Sequence, residues 1–199
     1  MVLITIDGNI GAGKSSVLNY LHRNYKIPVD LEPIDSWNKY LTDFYDNYSN
    51  VFKFQIRVWL DRCWIQEKTE SVNIFIERSP RFIQDVFIEV AEEERMITSA
   101  DKEILHSLHK KTNHLWDKSI YIYLQSSPEN CIKKIQKRNR PCEKQITKEY
   151  IEKLHNKHCS VYKKIIQENK NKIYCIDVDD KSIAEIANKI LQIVNQNKN

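Results

Sequence analysis

Glycine is nearly absent from this chain, because only three of its 199 residues are glycine. A globular chain of this length would hold about 14 at the usual frequency. All three, Gly8, Gly11 and Gly13, fall within one short segment near the start, and none follows it. The DxxG switch of GTPases and the signature of ABC transporters both need later glycines, and the guanine-reading NKxD motif is missing as well. The sequence therefore excludes these classes.

Long apolar runs are also missing, and the cysteines form no recognisable pattern. No run approaches the ~20 residues of a membrane-spanning helix, so we expect no membrane partner. The five cysteines include no CxxC pair, which is typical of free thiols in a reducing compartment. No secretory or transit signal precedes the first apolar segment, which predicts a cytoplasmic protein, in the host cytoplasm if the source is viral. A net charge of +4 is mild, and we expect no nucleic-acid partner.

Short apolar segments alternate with longer segments of helical periodicity along the whole chain. The predicted strands are residues 2–7, 29–31, 72–76, 119–125 and 172–178. The predicted helices are residues 14–25, 36–48, 51–69, 82–97, 101–116, 147–168 and 181–194, with a further helix opening at Pro128. This alternation predicts an α/β fold with a five-stranded parallel sheet and helices on both faces. No linker or repeat interrupts it, so we expect one domain over residues 1–199.

The glycine-rich segment carries the most specific motif in the chain. Residues 8–15 match GxxxxGK[ST], with a predicted strand before them and a predicted helix after them. Such a loop turns its backbone N–H groups inward around an anion, and the helix N-terminus adds positive charge. We expect Lys14 to bind the phosphates of ATP and Ser15 to bind Mg²⁺. The predicted phosphate contacts are Gly8, Asn9, Ile10, Gly11, Ala12, Gly13, Lys14, Ser15 and Ser16. With the classes above excluded, this P-loop NTPase fold points to a small-molecule kinase.

Two acidic residues follow two of the predicted strands. Glu32 comes after the second strand and Glu77 after the third. Ligands of doubly wound sheets bind beyond the carboxyl ends of the strands, so both carboxylates should face the phosphate site. A kinase needs a base for the acceptor hydroxyl and a ligand for Mg²⁺, and these two residues are the candidates, with Arg78 beside them. Alternatively, Glu32 caps the turn before Pro33, and Glu77 and Arg78 form a surface ion pair.

A cluster of basic residues lies between two predicted helices. It contains Lys134, Lys137, Arg138 and Arg140. Arginine binds phosphate oxygens through two parallel hydrogen bonds, so an Arg-x-Arg loop is suited to close over ATP. We expect a lid at about residues 138–146. A solvated basic helix face is the alternative interpretation.

Taken in order, these motifs resemble the deoxynucleoside kinase family over nearly the whole chain. Residues 6–16 look like its P-loop, residues 32–37 are similar to its EPxxxW segment, and residues 77–79 match its ERS motif. Phe54 and Gln55 resemble its FQ pair, and residues 138–140 match its lid. A compact viral or microbial member would fit the length of the chain.

The resemblance implies a role for each matching residue. Glu32 would be the general base, Glu77 would serve the metal site with Ser15, and Lys14 and Arg78 would act on the phosphates. The substrate contacts implied by the family are Trp37, Tyr45 (or Phe44 in an ungapped alignment), Gln55, Arg78 and Glu143. Asp179 and Asp180 resemble the loop on the adenine side of ATP. The resemblance also implies Mg²⁺ as cofactor and a homodimer built through helices.

Three positions bear on which deoxynucleoside is preferred. The carboxamide of Gln55 offers one donor and one acceptor, which suits the pairing edge of thymine or cytosine. In relatives that favour cytosine or purines, an arginine at the position of Arg62 pairs with an acid at the position of Ile83. Here the acid is missing, so we expect a pyrimidine substrate, thymidine before deoxycytidine, phosphorylated on its 5′-hydroxyl.

Two other functions remain open at this point. A nucleoside monophosphate kinase, such as a thymidylate kinase, shares the broad fold, but it needs extra positive charge for the acceptor phosphate, and EPxxxW argues against it. A non-catalytic P-loop regulator would need neither Glu32 nor Gln55.

Overall fold

A five-stranded parallel sheet forms the centre of the part of the chain that the structure describes. The structure is a computed structural model, and it describes residues 3–47, 50–63, 74–116, 119–170 and 172–197. The strands are β1 (Leu3–Gly8), β2 (Val29–Asp30), β3 (Ile74–Glu77), β4 (Ile120–Gln125) and β5 (Lys172–Asp177). They lie side by side in the order β2-β3-β1-β4-β5, and every pairing is parallel. The predicted sheet is thereby confirmed.

Helices cover both faces of this sheet. They are α1 (Lys14–Tyr25), α2 (Ile34–Asn47), α3 (Val51–Arg62), α4 (Pro80–Phe82), α5 (Glu89–Glu93), α6 (Ser99–Thr112), α7 (Pro128–Arg138), α8 (Lys148–Glu168) and α9 (Ile183–Gln196). No helix within the described ranges is both long and apolar enough to cross a membrane.

Alternate residues of β4 show how the two faces are filled. Ile122 and Leu124 pack in one apolar cluster with residues of α1 and α9. Tyr121 and Tyr123, which point the other way, pack in a second cluster with residues of α8. Because side chains alternate across a strand, a strand that is buried on both faces is apolar throughout. This arrangement confirms the predicted α/β fold.

The helix after β3 differs from the sequence expectation of one regular helix over residues 82–97. It begins at Pro80, where the Ser79 hydroxyl accepts a hydrogen bond from the backbone N–H of Phe82 at 3.3 Å. A π-helical turn, Ile83–Ile88, then joins α4 to α5. Such turns often mark functional sites, and this one places Ile83 and Phe87 on the wall of the cavity described below.

Other predicted boundaries differ from the structure or lie outside the described residues. The helix expected over residues 101–116 begins at Ser99 and is capped by Thr98, because Thr98 and Asp101 form a reciprocal capping box. It becomes a 3₁₀ turn at residues 113–116. Of the helix expected over residues 51–69, the structure describes Val51–Arg62, and residues 64–69 lie outside the described residues. Residues 72–73 of the third predicted strand lie outside them too.

Candidate active site

The P-loop links β1 to α1, and its glycines have backbone conformations that side chains disfavour. Gly13 directly precedes α1 with a φ of 96°, and Gly11 has a φ of 81°, both in the left-handed region. A Cβ on Gly11 would lie 2.5 Å from the carbonyl oxygen of Cys131 in α7. At position 11 only glycine allows both the positive φ and the close approach of Cys131 without strain. Backbone geometry and close packing therefore explain why this position is glycine.

Lys14 lies buried under this loop. Its ammonium group donates to the backbone carbonyls of Asn9 at 3.0 Å and Gly8 at 3.2 Å. Burial, assisted by the positive charge of Arg78, lowers the pKa of Lys14 to about 8. Phosphate oxygens would be stronger partners for this charge than neutral carbonyls, so the site is poised to accept an anion.

Ser15 and Glu77 meet at the carboxyl ends of β1 and β3. The hydroxyl of Ser15 donates to Oε1 of Glu77 at 2.7 Å, and Oε2 of Glu77 accepts from the backbone N–H of Glu32 at 3.3 Å. Hydroxyl and carboxylate oxygens are the ligands that Mg²⁺ prefers when it also binds substrate phosphates. The residues present therefore fit the metal that the sequence analysis implied.

Glu32 and Arg78 form a buried ion pair beside Lys14. Nε of Arg78 lies 2.5 Å from Oε1 of Glu32, and their side chains are 7% and 12% exposed. Burial raises the pKa of Glu32, but the charges of Arg78 and Lys14 outweigh it, so the pKa lies below its usual value. The guanidinium of Arg78 also lies 4.3 Å from the ring centre of Phe87. These contacts disagree with both alternatives, a turn cap for Glu32 and a surface ion pair for Arg78.

Asp7, which the sequence analysis did not single out, supports Arg78 from β1. Its carboxylate accepts from the backbone N–H of Ser79 at 2.8 Å and from the Ser79 hydroxyl at 3.0 Å. Arg78 has a φ of 67°, an unusual value for a residue other than glycine. The contacts on Ser79 hold the chain in this conformation. Burial raises the pKa of Asp7. An acid at the end of the first strand was the signal that could have revealed it.

A cavity of about 610 Å³ extends from the P-loop toward α2 and α3. Its far half, which we call the nucleoside half, is mostly apolar, and it is lined by Ile34, Trp37, Leu41, Phe44, Tyr45, Phe54, Gln55, Val58, Ile83, Phe87 and Tyr150. Gln55 is only 4% exposed, and its side-chain oxygen has no hydrogen-bond partner among the described residues. A buried acceptor without a partner is costly, and a ligand in the cavity would satisfy it.

Trp37 is held in place by a network that the sequence analysis missed. Its indole N–H donates to Oδ2 of Asp61 at 2.7 Å, and Nε of Arg57 donates to the same oxygen at 2.7 Å. The Trp37 ring meets Phe54 edge-on with ring centres 5.7 Å apart. Asp61 and Arg57 are four residues apart on α3, so they share one helix face. The orientation of this cavity wall therefore depends on α3.

The predicted lid lies over the same cavity. The guanidinium of Arg138 donates to both carboxylate oxygens of Glu143, at 2.6 and 2.5 Å, and Arg140 lies 3.4 Å from the same carboxylate. All three residues line the cavity, as do Lys134 and Lys137. Tyr45 and the ungapped alternative Phe44 both line it, and burial raises the pKa of Tyr45. The structure thus brings the basic cluster to the P-loop.

The comparison with known families agrees with this geometry. The family model described as "Deoxynucleoside kinase" matches residues 4–199. The chain belongs to the deoxynucleoside kinase family. The kinase is 28% identical to the deoxyguanosine kinase of Bacillus subtilis (strain 168), over 94% of this chain and 90% of that one. It is 30% identical to the deoxycytidine kinase of Homo sapiens, over 78% of this chain and 73% of that one. Transfer of phosphate from ATP to a deoxynucleoside is therefore favoured over the two alternatives.

Solved structures share the fold of the kinase. The deoxyadenosine kinase from M. mycoides with bound dCTP has a TM-score of 0.83 and covers 98% of this chain and 99% of that one, at 24% identity. The same enzyme with bound dATP has a TM-score of 0.80 over 98% and 100% of the two chains, also at 24% identity.

Three predicted ligand contacts of the kinase, Arg62, Asp179 and Asp180, lie away from the cavity. Arg62 is not part of the cavity wall, because its side chain turns toward the ends of β2 and β3. Asp179 accepts from the Ser126 hydroxyl at 2.5 Å and from the backbone N–H of Ser127 at 2.9 Å, and these bonds lower its pKa to about 2 despite burial. Asp179 therefore ties β5 to the start of α7. Neither it nor Asp180 lines the cavity, whereas Val178 and Lys181 beside them do.

Two further predicted phosphate contacts, Gly8 and Asn9, also lie away from the cavity. The side-chain amide of Asn9 donates to the carbonyl of Ile151 at 2.9 Å, and its oxygen accepts from the backbone N–H of Ile10 at 2.8 Å. Asn9 therefore ties the P-loop to α8, while residues 10–16 of the loop face the cavity.

Proposed function

We propose that this kinase transfers the γ-phosphoryl group of ATP to the 5′-hydroxyl of a pyrimidine deoxynucleoside, with thymidine preferred over deoxycytidine. The observation that carries the proposal is the position of the Glu32–Arg78 pair, which lines the cavity between the P-loop and the nucleoside half. A nucleoside whose base lies at Gln55 would direct its 5′-hydroxyl toward this pair. One domain over residues 1–199 would hold the whole site.

Glu32 would act as the base in this reaction. Its carboxylate accepts the proton of the 5′-hydroxyl as the oxygen attacks the γ-phosphorus. The bond between the γ-phosphorus and the β–γ bridging oxygen breaks, and its electron pair leaves with ADP. Arg78 fixes the direction of the carboxylate and, with Lys14, keeps it ionised at neutral pH. Lys14, Arg138 and Arg140 would bind the negative charge that is spread over the phosphoryl oxygens.

Mg²⁺ would be held by Ser15 and Glu77, the two oxygen ligands that meet beside the P-loop. When bound, the ion neutralises charge on the phosphates. Substitution of either residue should therefore raise the Mg²⁺ concentration that half-maximal activity requires.

The base preference follows from the walls of the nucleoside half. Gln55 presents an unpaired acceptor together with its amide donors, which matches the N3–H and O4 of thymine. Ile83 lines the cavity with an apolar side chain that contacts a methyl group favourably and offers no acceptor to an exocyclic amine. A site that leaves a ligand amine unpaired discriminates strongly against that ligand.

The predicted homodimer and the cytoplasmic location belong to the same proposal. Leu60 on α3 and Ile104 on α6 are about half exposed, and α3 packs on α6. Burying these side chains between two copies would remove apolar surface from water. Light scattering coupled to size exclusion would measure the mass of the particle, and cell fractionation would locate it.

A coupled assay of ADP release, run with the four deoxynucleosides and their 5′-monophosphates, tests the proposed function. We expect the highest kcat/KM with thymidine, then deoxycytidine, and no turnover of monophosphates. A preference for deoxyadenosine or deoxyguanosine would contradict the pyrimidine preference, and turnover of monophosphates alone would contradict phosphorylation of a nucleoside.

A further inference from the structure

Arg62 is buried beneath the carboxyl ends of β2 and β3 with its charge directed at the backbone. One of its terminal nitrogens donates to the carbonyl oxygen of Leu31 at 3.3 Å, and the other donates to those of Asp30 at 3.3 Å and Glu77 at 2.8 Å. Its side chain is 2% exposed, and the carboxylate of Asp30 lies 3.0 Å away as a counter-charge. Both terminal nitrogens are thus occupied, whereas Nε has no hydrogen-bond partner among the described residues, and no part of the guanidinium lines the cavity.

Two of the carbonyls that Arg62 binds belong to peptide groups of the active site. The peptide group that begins with the Leu31 carbonyl ends with the N–H of Glu32, which donates to Oε2 of Glu77. The peptide group that begins with the Glu77 carbonyl ends with the N–H of Arg78, which donates to the Ile6 carbonyl at 3.0 Å. Because a peptide group is planar, holding its carbonyl also fixes its N–H. A single side chain therefore fixes the backbone at both Glu32 and Arg78.

We propose that Arg62 is a positioning residue that aligns Glu32 and Arg78 for phosphoryl transfer and takes no part in reading the base. The proposal rests on the proposed function, because it assigns Glu32 the role of base. The planar fork of arginine suits the task, since it reaches several carbonyls at once, whereas a lysine at this position supplies one charge and no fixed geometry.

A residue that positions Glu32 and Arg78 without touching the base should act on kcat and leave binding of the nucleoside unchanged, because Arg62 contacts the backbone and does not line the cavity. A purely structural role for Arg62 would lower the stability of the fold without this split between kcat and KM.

Steady-state kinetics of Arg62→Met and Arg62→Lys test the proposal. In Arg62→Met we expect kcat to fall about 10- to 100-fold, the effect of a small misplacement of reacting groups. The KM for the nucleoside and the order of preference among the four deoxynucleosides should stay the same. Arg62→Lys should show an intermediate kcat. The matched control is Lys53→Met, which removes a charge from the exposed side of the same helix and should match the wild type.

Other outcomes would overturn the proposal. An unchanged kcat would show that Arg62 does not position Glu32, and an altered order of substrates with unchanged kcat would show that it reads the base. If Arg62→Met does not fold, as judged by circular dichroism, Arg62→Lys decides, because a wild-type kcat there contradicts the need for the fork. If the wild type phosphorylates no nucleoside, the proposed function fails separately. Hydrogen exchange of the backbone amides of Glu32 and Arg78 in Arg62→Gln then still decides, since exchange as slow as in the wild type would overturn the proposal.

Discussion

The carboxylate of Glu32 and the guanidinium of Arg78 lie 2.5 Å apart and join the ends of two neighbouring strands. Glu32 comes two residues after β2, and Arg78 directly follows β3. Both side chains are buried, so the pair is little screened by solvent and holds a fixed direction. The pair explains how a carboxylate can stay ionised in a buried site.

Lys14 should take up a proton when ATP binds. Its pKa of about 8 should rise once phosphate oxygens surround the ammonium group, because nearby negative charge favours the protonated form. At pH 8.5 we expect net proton uptake, which calorimetry in buffers of different ionisation enthalpy measures. Lys14→Ala should abolish both the uptake and turnover without unfolding the protein. Uptake in this variant equal to that of the wild type would contradict the assignment.

Asp61 should affect binding of the nucleoside but not of ATP. Without its carboxylate, the indole N–H of Trp37 loses a charged partner, an interaction that contributes about 1.5–3 kcal/mol. We expect Asp61→Ala to raise the nucleoside KM about 10-fold and to leave the ATP KM unchanged. The control is Arg57→Ala, which keeps the acceptor of Trp37 in place and should have a much smaller effect. Equal effects on both KM values would argue against this role.

Ile83 should set the preference between thymidine and deoxycytidine. A carboxylate at this wall of the cavity would accept a hydrogen bond from the exocyclic amine of cytosine. We therefore expect Ile83→Asp to increase the ratio of kcat/KM for deoxycytidine to that for thymidine, even though a buried charge lowers stability. Ile83→Leu, which stays apolar, should keep the wild-type ratio. An unchanged ratio in Ile83→Asp would contradict the proposed orientation of the base.

The sequence predicted those parts of the site that the backbone determines. The P-loop pattern needs two glycines at fixed spacing, Gly8 and Gly13, and parallel strands bring their carboxyl ends to one edge. The convergence of Ser15, Glu32 and Glu77 therefore followed from topology alone.

The positions of Arg62 and Asp179 could not be predicted in the same way. An arginine or an aspartate can bind either a ligand or the protein's own backbone and side chains. Residue type does not distinguish these roles, because the role depends on which partner is nearer after folding. Arg62 binds three backbone carbonyls beneath the sheet edge, and Asp179 binds Ser126 and Ser127 across from β5. These partners are far from Arg62 and Asp179 in the sequence, so a local sequence pattern does not predict them. For the same reason the link between Trp37 and Asp61, which are 24 residues apart, was missed.

The most direct test of the account is the kcat of Glu32→Gln measured together with the Kd of the nucleoside. The amide keeps the shape of the side chain but cannot accept the proton, so kcat should fall by ~10²–10⁴-fold, the usual contribution of a positioned base. The Kd should change far less, and Glu77→Gln, measured in parallel, should instead raise the Mg²⁺ requirement. A wild-type kcat in Glu32→Gln, with activity lost in Glu77→Gln, would contradict the assignment of Glu32 as the base.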